Sequence, residues 1–146
     1  MSREPESGSP APLTVLVADD DEDMRSLVSE TLRADGHRVM EARDGEELLG
    51  ALRRALDDPG ERPDVVVTDV LMPRLSGLGV LEALRRVHWN VPVILMTVLR
   101  DSSVHTLAKR LGAVCVLQKP LGVEDLRSAL LLAGTTFTRA REVTSP

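Results

Sequence analysis

Residues 13–32 read LTVLVADDDEDMRSLVSETL. The opening of this stretch is almost uninterruptedly aliphatic, the pattern of a strand covered on both faces. Asp19, Asp20 and Asp21 end the run, and beyond them the period changes. Met24, Leu27, Val28, Thr31 and Leu32 fall at helical spacing and form one apolar stripe. Gly36 follows where a left-handed residue closes a helix. A buried strand, an acidic turn and an amphipathic helix thus form one unit, and the rest of the chain repeats it.

Further strand candidates are 37–42 (HRVMEA), 64–69 (DVVVTD), 91–97 (VPVILMT) and 114–118 (VCVLQ). All but HRVMEA are nearly continuous aliphatic runs. HRVMEA alternates polar and apolar residues and is expected at an edge. The stripes Leu48-Leu52-Ala55-Leu56, Val80-Leu81-Leu84-Val87, Val104-Leu107-Ala108-Leu111 and Val123-Leu126-Ala129-Leu130-Ala133 mark four more helices. Strict alternation of strand and helix predicts an α/β domain: a five-stranded parallel sheet, right-handed crossovers, helices on both faces. Local pattern does not order the strands. The order 2-1-3-4-5 is borrowed from known doubly wound sheets, and it agrees with an alternating strand at the edge.

Trp89 and Phe137 are the only aromatics, so the core is aliphatic and base stacking on nucleic acid is largely excluded. A net charge of −5 without a basic run argues against direct nucleic-acid or anionic-membrane binding. The single Cys115 permits no internal disulfide, and no apolar stretch resembles a signal peptide or a membrane span. A cytoplasmic location is therefore expected. Residues 1–12 are expected to form a disordered N-terminal tail, 13–133 the folded domain, and 134–146 a C-terminal tail too short for an output domain.

The chemistry collects where the strands end. Ligands of open α/β sheets bind outside the carboxyl ends of the strands, near the switch point. Those ends carry Asp19-Asp20-Asp21, Asp69, Thr97 and Lys119-Pro120. Clustered carboxylates suit a hard, oxygen-seeking cation such as Mg²⁺. A carboxylate can attack phosphorus, and an ammonium and a hydroxyl suit the charge that develops on the phosphoryl oxygens.

LVADDDEDMR, TDVLMPRLSGL, VPVILMT and QKP resemble, in this order, the signature segments of the response-regulator receiver family, chemotaxis receivers included. The resemblance covers 13 to about 133 and implies a flavodoxin-like receiver fold. It implies that Asp69 accepts a phosphoryl group from a histidine kinase, a histidine phosphotransfer protein or a small phosphodonor. Asp20, Asp69 and the Leu71 backbone carbonyl would hold Mg²⁺, with Asp19 acting through water. Thr97 and Lys119 would bind the phosphoryl group, and the Lys119-Pro120 bond is expected to be cis. Pro73 and Gly77 match the loop after the acceptor strand.

Three positions depart from the family's usual pattern. Val98 stands where a small residue is frequent, Val116 where a switching aromatic is frequent, and Leu121 where Phe is frequent. Val98, with Leu71 and Leu99, is expected to shield the phosphoryl group from water.

Other readings of the same residues remain. Asp21, Glu22 and Asp23 suit a helix N-terminus, with Asp21 as N-cap. Cys115 reads as a small buried hydrophobe, and His37, His88 and His105 lack zinc-ligand spacing. A receiver-like scaffold that works without phosphorylation is the alternative function. An aspartyl phosphohydrolase is remote, since Leu71 stands where a second Asp is wanted. The expected product is a stand-alone receiver rather than an enzyme. It signals by phosphorelay or through an output protein on the fourth-helix, fifth-strand and last-helix face, with a homodimer as one consequence of phosphorylation.

Overall fold

The computed structural model describes residues 11–144, with side chains described as far as Gly134. Five strands and five helices alternate: β1 Thr14–Ala18, α1 Glu22–Ala34, β2 Arg38–Ala42, α2 Gly45–Asp57, β3 Val65–Asp69, α3 Gly77–Arg86, β4 Val93–Thr97, α4 Ser102–Arg110, β5 Cys115–Gln118 and α5 Val123–Thr144. One 3₁₀ turn, Pro59–Glu61, lies between α2 and β3. All neighbouring strands are parallel, in the order β2-β1-β3-β4-β5. The alternating strand β2 is at an edge, and every residue of β3 and β4 is buried. β4 begins only at Val93; Pro92 before it has no N–H to give to a ladder.

The pleat divides the core. Leu16, Ala18, Val66 and Leu95 face one way and pack with Leu48, Leu52, Val80, Leu81, Leu84 and Ala108 of α2, α3 and α4. Val15, Val17, Val65, Val67, Ile94 and Met96 face the other way, against Val28 and Leu32 of α1 and Leu126, Ala129, Leu130 and Ala133 of α5. Period-two side-chain direction therefore covers both faces of one sheet.

The margins of the helical stripes differ from expectation. Leu27, Leu56, Val87, Leu107 and Val123 are exposed, because only part of a helix circumference reaches the sheet. Gly36 and Gly112 close α1 and α4 at φ 93° and 78°, and His88 does the same after α3 at φ 60°. Trp89 lies in the loop before β4, at the end of the sheet away from the acidic loop, with the Arg62 guanidinium 5.9 Å from its ring centre.

The C-terminal expectation is corrected. α5 does not stop near Ala133 but continues to Thr144, through the segment expected to be a tail. Gly134 weakens a helix by about 1 kcal/mol relative to Ala, yet Pro146 is the first proline after it. The proposed N-terminal tail, 1–12, lies almost wholly outside the described residues. No helix among the described residues is long and apolar enough to cross a membrane.

Candidate functional site

Register decides which strand ends meet. β1 and β3 pair Ala18 with Thr68, so Asp19 and Asp69, one residue further on, are neighbours. β4 and β5 pair Thr97 with Gln118, which puts Lys119 at the same edge. Asp19 and Thr97 are fully buried, Asp69 is 6% exposed, and Asp20 is exposed.

Lys119 bridges the acids. Its Nζ donates to Asp69 Oδ2 at 2.6 Å and to Asp19 Oδ2 at 2.8 Å. Each carboxylate spends its other oxygen on the chain two residues ahead: Leu71 N–H donates to Asp69 Oδ1 at 2.9 Å, and Asp21 N–H to Asp19 Oδ1 at 3.0 Å. Thr97 repeats the device, its Oγ1 accepting from Leu99 N–H at 3.0 Å. These short side-chain-to-backbone bonds fix how the loops leave the strands. The Lys119 N–H donates to the Thr97 carbonyl at 2.8 Å, and the Lys119-Pro120 peptide is cis.

Burial sets the electrostatics. It pushes the Asp69 carboxyl above its ordinary value, with help from Asp19 and against the pull of Lys119 and the Leu71 N–H. Burial also works against the Lys119 charge, but the hydrogen bonds and charges of Asp19 and Asp69 outweigh it and hold the ammonium above its usual range. One ammonium between two acids leaves a net negative pocket. One carboxylate oxygen from each of Asp19, Asp20 and Asp69 lies within 4.8 Å of the others. An all-oxygen set of this kind fits a hard divalent cation.

Backbone clearance holds the loop after β3. A Cβ on Gly77 would lie 2.2 Å from the Asp69 carbonyl oxygen, so α3 starts against the end of β3 only because residue 77 has no side chain. The Gly77 N–H donates to the Val70 carbonyl at 2.9 Å.

The three departing positions do not form one group. Val98 is 60% exposed just beyond Thr97, beside the site rather than in the core. Val116 packs with the α2–α4 side of the sheet, and Leu121 with the α1–α5 side. Cys115 is half-buried, and burial pushes its thiol up. Asp21 caps α1, accepting from the Asp23 and Met24 N–H groups, while Glu22 and Asp23 occupy its first turn.

Two contacts have no local signal in the sequence. Lys119 reaches Asp19 as well as Asp69, and the Arg25 guanidinium donates to the Asp19 carbonyl at 2.8 Å. Arg25 lies one helical turn beyond Asp21, the only hint that its side chain can return to the acidic loop.

A family model described as response regulator receiver domain matches residues 15–131. The chain is 37% identical over 129 residues to a probable transcriptional regulatory protein, TcrX, of Mycobacterium tuberculosis, covering 87% of this chain and 53% of that protein. It is 42% identical over 120 residues to protein-glutamate methylesterase/protein-glutamine glutaminase 4 of Myxococcus xanthus, covering 78% of this chain and 31% of the relative. The chain thus spans about half or less of these curated relatives' length. Among solved structures, chemotaxis response regulator CheY4 of Vibrio cholerae superposes with a TM-score of 0.74 at 30% identity, covering 84% of this chain and 99% of that one.

Proposed function

The chain belongs to the response regulator receiver domain family of two-component systems, and from that premise we propose that Asp69 is its phosphoacceptor. The supporting observation is Asp69 itself: nearly buried, at the end of a central strand, with Lys119 on one carboxylate oxygen and the Leu71 N–H on the other. The donor is a phosphohistidine on a histidine kinase or phosphotransfer protein, or a small acyl phosphate. A carboxylate oxygen of Asp69 forms the new bond to phosphorus as the bond to the donor's nitrogen or oxygen breaks.

Asp20, Asp69 and the Leu71 carbonyl would hold Mg²⁺, with Asp19 through water. Bound there, the ion neutralises charge on the phosphoryl oxygens. Lys119 then exchanges part of its contact with Asp69 for a phosphoryl oxygen. The Thr97 hydroxyl, whose proton has no acceptor among the described residues, donates to another. Aspartyl phosphate and its release are self-catalysed events of a signalling protein, not turnover of an external substrate. Output runs through protein contact or onward phosphate transfer. The α4–β5–α5 face, with Leu107, Leu131 and Leu132 exposed, is the surface offered to an output protein or a second copy.

The test is incubation with acetyl phosphate and Mg²⁺, read by intact mass. Wild type should gain one phosphoryl group, and Asp69→Asn none. Wild type that stays unmodified with Mg²⁺ and a cognate kinase would leave the phosphorylation-independent scaffold as the better reading.

A further inference from the structure

Arg25 belongs to none of the four strand ends, yet it touches the acidic loop. Its side chain is 12% exposed, well buried for an arginine on a surface helix. One arm of the guanidinium donates to the Asp19 carbonyl at 2.8 Å, and Nε donates to Glu41 Oε1 on β2 at 3.2 Å. Glu41 is gripped from its other oxygen by Arg33, also at 3.2 Å. The next residue of β2, Ala42, accepts the Asp19 N–H at 3.2 Å. Both backbone polar groups of Asp19 are therefore tied, directly or through Arg25, to two adjacent residues of the edge strand.

The choice of partner is informative. Asp19, Asp20, Asp21 and Asp23 all lie within a few residues, yet Arg25 bonds a carbonyl of the loop and places its ion pair on Glu41. Arg25 takes neither the Asp19 nor the Asp20 carboxylate, and the Asp19 oxygens are left to Lys119 and the Asp21 N–H within the pocket. A planar, rigid donor fork can hold two acceptors at a fixed angle, which a lysine ammonium on its flexible stem does not.

We propose that Arg25 is a positioning residue for the cation site, tying the Asp19 carbonyl to Glu41 and so setting where the Asp19 and Asp20 carboxylates stand relative to Asp69. This deepens the Mg²⁺ reading above and rests on it. Outer-shell partners of metal ligands commonly carry a tenfold or greater share of affinity. A positive charge this close has the opposite electrostatic effect, repelling an incoming cation. The two roles predict opposite signs for the loss of Arg25.

The experiment is calorimetric titration of the whole chain with MgCl2, with urea midpoints to verify that each variant is folded. Asp20→Asn should abolish binding, which tests the site itself. Arg25→Met should weaken Mg²⁺ binding by about tenfold. Arg25→Lys keeps the charge and should also weaken it, while Glu41→Gln should weaken it less. The double variant Arg25→Met/Glu41→Gln should bind no more weakly than Arg25→Met alone, because both act through one tie. If Arg25→Met fails to fold, Arg25→Lys and Glu41→Gln carry the comparison. Binding as tight as wild type, or tighter, in the folded Arg25 variants overturns the positioning role alone. Wild type that takes up no Mg²⁺ overturns the metal reading and this role together.

Discussion

Lys119 Nζ lies 2.6 Å from Asp69 Oδ2 while also bonded to Asp19, so one ammonium compensates two buried carboxylates. Lys119→Met keeps much of the side-chain volume and removes the charge. The acids then face each other unpaired, and stability should fall by about 3 kcal/mol in the absence of divalent cation. Added Mg²⁺ should restore part of it by binding only the folded state. Urea unfolding with EDTA and with MgCl2 checks this. A variant as stable as wild type in EDTA would refute it.

Gly77 and Gly50 should respond to the same substitution with opposite signs. At Gly77 a Cβ meets the Asp69 carbonyl, and backbone cannot swing aside as a side chain can. Gly77→Ala should cost about 3 kcal/mol and displace the loop that leads into α3. At Gly50, inside α2, the nearest atom to a new Cβ is the Arg54 guanidinium at 3.5 Å. Gly50→Ala should stabilise by about 0.5–1 kcal/mol through helix propensity. Urea midpoints of the two variants provide the comparison.

His37 should make stability depend on pH. It is 6% exposed, and its Nδ1 accepts the Leu13 N–H at 3.0 Å, which needs that nitrogen unprotonated. Burial pushes the imidazole below its ordinary value, with the Asp35 charge opposing. The unfolded chain therefore takes up a proton first. The contribution of His37 is complete above about pH 6.5 and is lost as pH falls from there through the lower folded value. His37→Asn supplies an acceptor that does not titrate. It should flatten the decline in urea midpoint between about pH 7 and 5.

His88 holds a left-handed conformation at the end of α3, where its N–H bonds the Arg85 carbonyl and the Trp89 N–H bonds the Leu84 carbonyl. A side chain is strained there. His88→Gly should raise stability by about 0.5–1 kcal/mol, the relief of strain exceeding the added freedom of the unfolded chain. A lower melting temperature for the variant would count against this.

Val98 stands at the mouth of the proposed phosphorylation site, immediately after Thr97. Val98→Ala should open a path for water and shorten the half-life of phosphorylated Asp69. Following the loss of the phosphoryl mass after removal of donor measures it. An unchanged half-life would remove the shielding role.

Local patterning located every strand to within two residues because a strand buried on both faces and a one-sided helix leave different periods in the chain. It located the N-cap at Asp21 and the left-handed position at Gly36 for the same reason: those demands are met by the residue itself. It misjudged the end of α5, where a single glycine and a polar composition were weak evidence for a stop. The margins of the helical stripes were overcounted, since a period shows which side faces in but not how far the sheet reaches.

The kinds of residue at the strand ends, Asp19, Asp20, Asp69, Thr97 and Lys119, were written in the sequence, because each follows directly on a recognisable strand. Their meeting was not. Lys119 lies 100 positions from Asp19, and whether the two touch depends on strand order and register, which no local pattern carries. The same holds for Arg25 bridging Asp19 to Glu41, for the clearance that only Gly77 allows, and for Val116 and Leu121 falling on opposite faces. Sequence determined which chemical groups stand at each strand end, through turn and period preferences that act over a few residues. Tertiary packing alone decided which of those groups share a charge, a hydrogen bond or a space, because Coulombic and steric terms act on distance in space and not on distance along the chain.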